Sequence, residues 1–125
     1  MYRLGVSRSF EARHYLVGGD WGDENIEHSH HYRLELILEA DKLDHHGFLV
    51  DIVEVERHLE EVVSEFSGKT LNTISCLNNR SPSIEEFATV LHGLFTRRLA
   101  PFRLETITVS LWEDDIAWTS YRAAV

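Results

Sequence analysis

From its start the chain places apolar side chains at every second position: Tyr2, Leu4 and Val6, then Phe10 and Ala12 after a break near Ser7. A period of two predicts a strand, bulged or bent at the break. Residues 16–27, LVGGDWGDENIE, combine Gly-rich turns with four acids and read as a loop. Alternation resumes over 30–40, with Tyr32, Leu34, Leu36, Leu38 and Ala40 on one face and Arg33, Glu35 and Glu39 on the other. One wet face is what an antiparallel sheet allows.

After the turn signal Asp44-His45-His46-Gly47 the period lengthens. Ile52, Val55, Leu59, Val62 and Phe66 are spaced as one stripe of an amphipathic helix, with Glu54, Glu56, Arg57, Glu60 and Glu61 facing water and Gly68 as its stop. A second helix start follows in NNRSPSIEEFA: Ser81 suits the cap, Pro82 the first helical position, and Glu85 and Glu86 the positive end of the dipole. Its buried stripe is Ile84, Phe87, Leu91, Leu94 and Phe95, ended by Pro101. Ile107, Val109 and Leu111 then alternate with Thr106, Thr108 and Ser110, and IAWTSYRAA gives a last strand. The order ββααββ predicts one α+β domain, a four-stranded antiparallel sheet with two helices on one face. Its two open edges favour oligomerisation by edge pairing.

Composition narrows the partners. At 125 residues the chain supports a single core, without repeats or linkers. A net charge of −9 excludes a nucleic-acid partner, since Arg97-Arg98 and the isolated Lys69 and Arg80 suffice for one anionic group at most. Cys76, the single cysteine, permits no internal disulfide and is expected as a small buried residue in a reducing compartment. The first residues lack a signal peptide's apolar centre and no stretch is long enough to span a bilayer, so a cytoplasmic protein without a membrane partner is expected.

Three histidines fall within four positions at the mouth of the second strand: His28, His30 and His31. Residues i and i+2 share a strand face, so His28 and His30 can converge on one metal ion while His31 points away to solvent. His14 ends the first strand, which in an antiparallel pair can lie beside them. Three histidines with an open fourth position describe a catalytic zinc site. A bare H-x-H pair is equally a polar lip on an ordinary sheet, and the spacing alone leaves both open. His45 and His46 fall in a hairpin turn and are expected to be solvated; His58 and His92 fall on the polar sides of the helices.

The chain also carries, in order, Phe10-x-Ala12-x-His14, His28-x-His30, Gly47-(x)3-Asp51, Leu71-Asn72, Pro82-Ser83-x-Glu85-x-x-Ala88 and Glu113-(x)7-Tyr121. Together these resemble the 6-pyruvoyl-tetrahydropterin synthase / 6-carboxytetrahydropterin synthase family over nearly the whole sequence. The resemblance implies the tunnelling fold, a ββααββ unit whose sheets join into a barrel in homotrimers or homohexamers. It implies zinc held by His14, His28 and His30, and a pterin-like substrate anchored by Glu113 with help from Ser83. Ile84 stands where the family often has a second polar residue.

The departures concern the proton-transfer set. The family's cysteine position is occupied here by Glu24, and the positions of its Asp-His pair by Ser67 and Gly68. Glu24, with Glu27 second, is therefore the candidate base. Family members with a glutamate near that position are thought to cleave the side chain of dihydroneopterin, a retro-aldol step that needs a base and an electrophile only. The resemblance thus implies a zinc-dependent lyase acting on dihydroneopterin or its triphosphate. The alternatives are the same zinc scaffold with a diverged, non-pterin substrate, and a non-catalytic pterin-binding homologue.

Overall fold

In a computed structural model, which describes residues 1–77 and 81–125, the alternating segments form a four-stranded antiparallel sheet in the order β1-β2-β3-β4. The strands are β1 (Tyr2–His14), β2 (His28–Ala40), β3 (Thr106–Glu113) and β4 (Ala117–Ala124), and the helices between them are α1 (Ile52–Ser64) and α2 (Ile84–Arg98). Arg80, one of the isolated basic residues, lies outside the described residues. Helix α1 lies over β1, and α2 over β3 and β4, so one face of the sheet is covered and the other is not. No described helix is long and apolar enough to cross a membrane.

The core is the meeting of two periodicities. Leu34, Leu36 and Leu38 from β2 and Ile107, Val109 and Leu111 from β3 face Val55, Leu59, Val62 and Phe66 below α1 and Phe87, Leu91 and Phe95 from α2, all fully buried. Phe87 packs edge-on against Tyr32 with centroids 5.4 Å apart and lies 5.1 Å from Phe66, tying α2 to the sheet and to the end of α1.

Several expectations need correction. The break near Ser7 is no bulge: β1 and β2 stay in register from Tyr2 opposite Ala40 to His14 opposite His28. Arg8 simply occupies an inward-facing slot and sends its Nε 2.9 Å from Glu60 on α1. Helix α2 is capped by Ser83, not Ser81; the Ser83 hydroxyl accepts the Glu86 N–H at 3.2 Å and Pro82 precedes the helix. Ile52, at the first turn of α1, is exposed, and Cys76 is exposed rather than buried. His92 is buried, donating from Nε2 to the Ile107 carbonyl at 3.0 Å with its ring edge-on to Tyr121, because α2 crosses close above β3 and β4. The 44–47 turn joins β2 to α1 and not strand to strand; Asp44 closes it by accepting N–H bonds from His46 and Phe48. The uncovered face is only partly wet, since Thr106, Thr108 and Ser110 are buried there.

Candidate metal centre

The unbroken β1–β2 register sets His14 opposite His28 and Ala12 opposite His30. All four positions lie on the helix-facing side of the sheet, at the end of the row that continues into Tyr32 and Leu34. The three rings form a near-equilateral triangle, with centroids 4.6 Å (His14–His28), 4.9 Å (His14–His30) and 4.7 Å (His28–His30) apart. Asn72 secures the end of β1 by bonding both backbone groups of Tyr15, accepting at 3.0 Å and donating at 2.9 Å.

Each ring is oriented by its other nitrogen. Nδ1 of His14 lies 2.7 Å from the Pro82 carbonyl, Nδ1 of His28 2.7 Å from the Ile26 carbonyl, and Nδ1 of His30 2.6 Å from Asp114 Oδ2. A carbonyl or carboxylate oxygen accepts, so Nδ1 carries the proton and Nε2 presents a lone pair in the neutral ring. All three Nε2 atoms are buried and, among the described residues, none of these lone pairs meets a hydrogen-bond donor; two of them face the carboxylates of Glu24 and Glu113, themselves acceptors. Leaving one buried polar atom unpaired costs about 1–3 kcal/mol, and three of them converge here. Imidazoles fixed through Nδ1 and converging through Nε2 are the donor set of a metal ion.

One ligand atom each from His14, Glu24, His28 and His30 all fall within 4.8 Å of one another. Glu24 Oε2 is 3.0 Å from His28 Nε2, with its side chain 48% exposed. Glu113, paired across β2–β3 with Tyr32, brings Oε1 to 3.4 Å from His30 Nε2. Glu27 is turned elsewhere, accepting from the Thr70 hydroxyl at 2.7 Å. Ser83 follows the residue whose carbonyl holds His14, and its hydroxyl caps α2. His31 is exposed on the opposite face.

The cluster shifts its own titrations. Burial pushes the His14 imidazole below its ordinary value, with the His28 and His30 rings adding to that and the Pro82 carbonyl and Glu24 opposing it. Burial raises Glu113; His30 opposes this, while the negative charges of Glu24 and Asp114 reinforce it. Tyr32, whose buried hydroxyl has no hydrogen-bond partner among the described residues, is held far above the ordinary phenol range by burial and by Glu113, Asp114 and Glu24. Sequence reasoning did not single out Asp114; only the fold shows that the β3–β4 turn delivers it to His30.

The architecture is similar to several solved structures. The Caenorhabditis elegans 6-pyruvoyl tetrahydropterin synthase superposes with a TM-score of 0.84 at 17% identity, over 98% of this chain and 96% of that one. The Plasmodium vivax enzyme gives 0.80 at 14% identity, covering 99% and 98%. A variant of it, with a glutamate described as a catalytic residue replaced by alanine, gives 0.80 at 13% identity over the same shares. At such identities the likeness concerns the fold. No curated protein matches the chain in sequence. The family model for 6-pyruvoyl tetrahydropterin synthase matches residues 3–124. The chain therefore belongs to the 6-pyruvoyl tetrahydropterin synthase family.

Proposed function

We propose that this protein is a zinc-dependent lyase that cleaves the side chain of a reduced pterin, dihydroneopterin or its triphosphate. The observation that carries the reading is the convergence of three orphaned histidine Nε2 atoms with a carboxylate, Glu24, within 4.8 Å. His14, His28 and His30 would hold the zinc ion. Bound zinc supplies Lewis acidity, which polarises vicinal oxygens and acidifies the protons on them.

The chain's own residues do the rest. Glu113 anchors the ring: a carboxylate facing the N–H edge of a pterin makes two parallel charge-assisted bonds that fix orientation. Ser83 would add a hydroxyl contact to the ring. Glu24 takes the proton of the hydroxyl on the second side-chain carbon. The bond between the first and second side-chain carbons then breaks, its electron pair passing into the ring, and the two outer carbons leave as an aldehyde. Glu24 returns its proton to the remaining carbon, giving 6-hydroxymethyl-dihydropterin; no oxidant or second base is required. Glu27, tied to Thr70, is the weaker candidate for this role. A solved Plasmodium vivax relative is described with a catalytic glutamate, which agrees with a glutamate as the base. β1 and β4 are the sheet's edge strands, and the edge of β4 with the part of β1 not paired to the 68–70 segment suits assembly into a homotrimer or homohexamer; a cytoplasmic location fits the single cysteine.

The test is turnover of dihydroneopterin and its triphosphate by the zinc-loaded protein, with products resolved by chromatography. Release of 6-hydroxymethyl-dihydropterin, abolished in Glu24→Gln with pterin affinity retained, is the expected result. No conversion of either compound at one zinc per chain would sink the assignment.

A further inference from the structure

Glu24 is carried by an irregular segment, residues 16–25, whose one regular feature is a single 3-10 turn, Gly22–Asn25, with no side-chain cap at its start. Such a segment does not hold a carboxylate in place by its own backbone ladder. Here it is closed by one side chain. The Asn25 Oδ1 accepts the Trp21 N–H at 2.7 Å, and its Nδ2 donates to the carbonyls of Leu16 and Gly19, both at 3.0 Å. Both amide protons and the carbonyl oxygen are thus used, each on a different residue of the same segment. The closure continues through the backbone on either side of Glu24. Its carbonyl accepts from Leu16 N–H at 2.8 Å, and its N–H donates to the Trp21 carbonyl at 3.2 Å. The Trp21 ring in turn lies over Gly19, where a Cβ would come within 2.6 Å of it.

We propose that Asn25 is a positioning residue whose side-chain amide locks the 16–25 segment and thereby holds the Glu24 carboxylate against His28. The inference rests on the reading of Glu24 as the base and deepens it. Asparagine is the side chain that fits: aspartate would turn carboxylate oxygens on the two carbonyls that now accept N–H bonds, and glutamine is one carbon too long for the same three partners. A base displaced by about 1 Å loses on the order of a hundredfold in rate, so the clamp bears on turnover without touching substrate.

The experiment compares Asn25→Ala, Asn25→Asp, Glu24→Gln and the Asn25→Ala/Glu24→Gln double variant in the zinc-loaded full chain. Three readouts are taken: amide hydrogen exchange, the ring resonances of His28, and turnover of dihydroneopterin. Both Asn25 variants should speed exchange at least about tenfold across residues 16–25 and leave β1 and β2 protected. They should shift the His28 signals as Glu24→Gln does, and lower kcat about 10- to 100-fold with KM changed by less than about threefold. In the Glu24→Gln background the Asn25 change should add nothing. Unchanged loop exchange or unchanged His28 signals in both variants would overturn the proposal, as would a full additional loss in the double variant. If the wild-type chain itself converts no pterin, the lyase reading fails on its own, while loop exchange and the His28 signals still decide for or against the clamp.

Discussion

Asp114 holds His30 with one carboxylate oxygen and the strand behind it with the other: Oδ2 is 2.6 Å from His30 Nδ1, and Oδ1 accepts the His31 N–H at 2.9 Å. The residue sits just past β3 with a left-handed backbone (φ 55°), and its own N–H donates to the His31 carbonyl at 2.7 Å. Burial works against its charge, but the bonds from the His30 ring and the His31 N–H keep the carboxyl below its ordinary value. An ionised partner on Nδ1 makes the opposite nitrogen a better donor to a metal.

Asp114→Asn retains both the shape and the tolerance of a positive φ, yet removes the charge. Zinc affinity is expected to fall about 10- to 100-fold, the usual cost of losing such an orienting carboxylate. Competition against a chromophoric chelator measures it. Affinity equal to wild type would mean that the charge on Asp114 contributes nothing to the strength of His30 as a ligand.

The strand geometry separates neighbours that the sequence shows side by side. His28→Ala and His30→Ala each remove one corner of the triangle and should bring bound zinc from one per chain to a small fraction, read by native mass spectrometry. His31→Ala, one position away but on the exposed face, should leave the stoichiometry unchanged. A loss in His31→Ala comparable to the other two would contradict the facing set by the register of β1 and β2.

Much of this was legible before any coordinates, because the two hydrophobic periods differ sharply and each element carries one of them. The alternation of Leu34, Leu36 and Leu38 against the helical spacing of Val55, Leu59 and Val62 suffices for the layers. That His28 and His30 share a face was legible from period-two strand geometry, whereas their grouping with His14 as a metal site was implied only by the family resemblance. What was not legible came from contacts between distant segments. His92 reads as polar on a helical wheel, yet packing of α2 against β3 and β4 buries it on the Ile107 carbonyl. Asp114 and Asp115 are equivalent in sequence, and only the turn geometry separates them. The roles of Glu24 and Glu27 likewise part only when Thr70, from beyond α1, engages Glu27.

On the uncovered face of the sheet, Glu39 is buried and flanked by Arg122 Nε at 2.9 Å and Arg3 Nε at 3.7 Å. The hydrogen bond from Arg122 holds its carboxyl below the ordinary value, against the opposing effect of burial. A carboxylate whose pKa is lower in the folded than in the unfolded chain adds stability that is fully present above the unfolded value, near 4.5. That stability is lost as pH falls through the folded value. Glu39→Gln should therefore unfold at lower denaturant than wild type at pH 7, and the gap should narrow as the titration is repeated toward pH 3. A gap independent of pH would assign the loss to packing and not to charge.

Glu113 offers the sharpest discrimination between a pterin and another planar ligand. It ends β3 opposite Tyr32 with its carboxyl oxygens beside the histidine cluster, where they can accept N–H bonds in a partly dry wall of the site. Bonds to a charged group are worth about 1.5–3 kcal/mol each. Glu113→Ala should thus weaken binding of a fluorescent pterin such as neopterin by at least about tenfold, while the zinc proposed to sit on three histidines of other strands stays at one per chain. Fluorescence titration and metal analysis of the same sample read both quantities. A loss of pterin affinity with zinc retained places the ring edge on Glu113. Equal affinity in the variant would leave the metal centre intact and require a substrate of different chemistry.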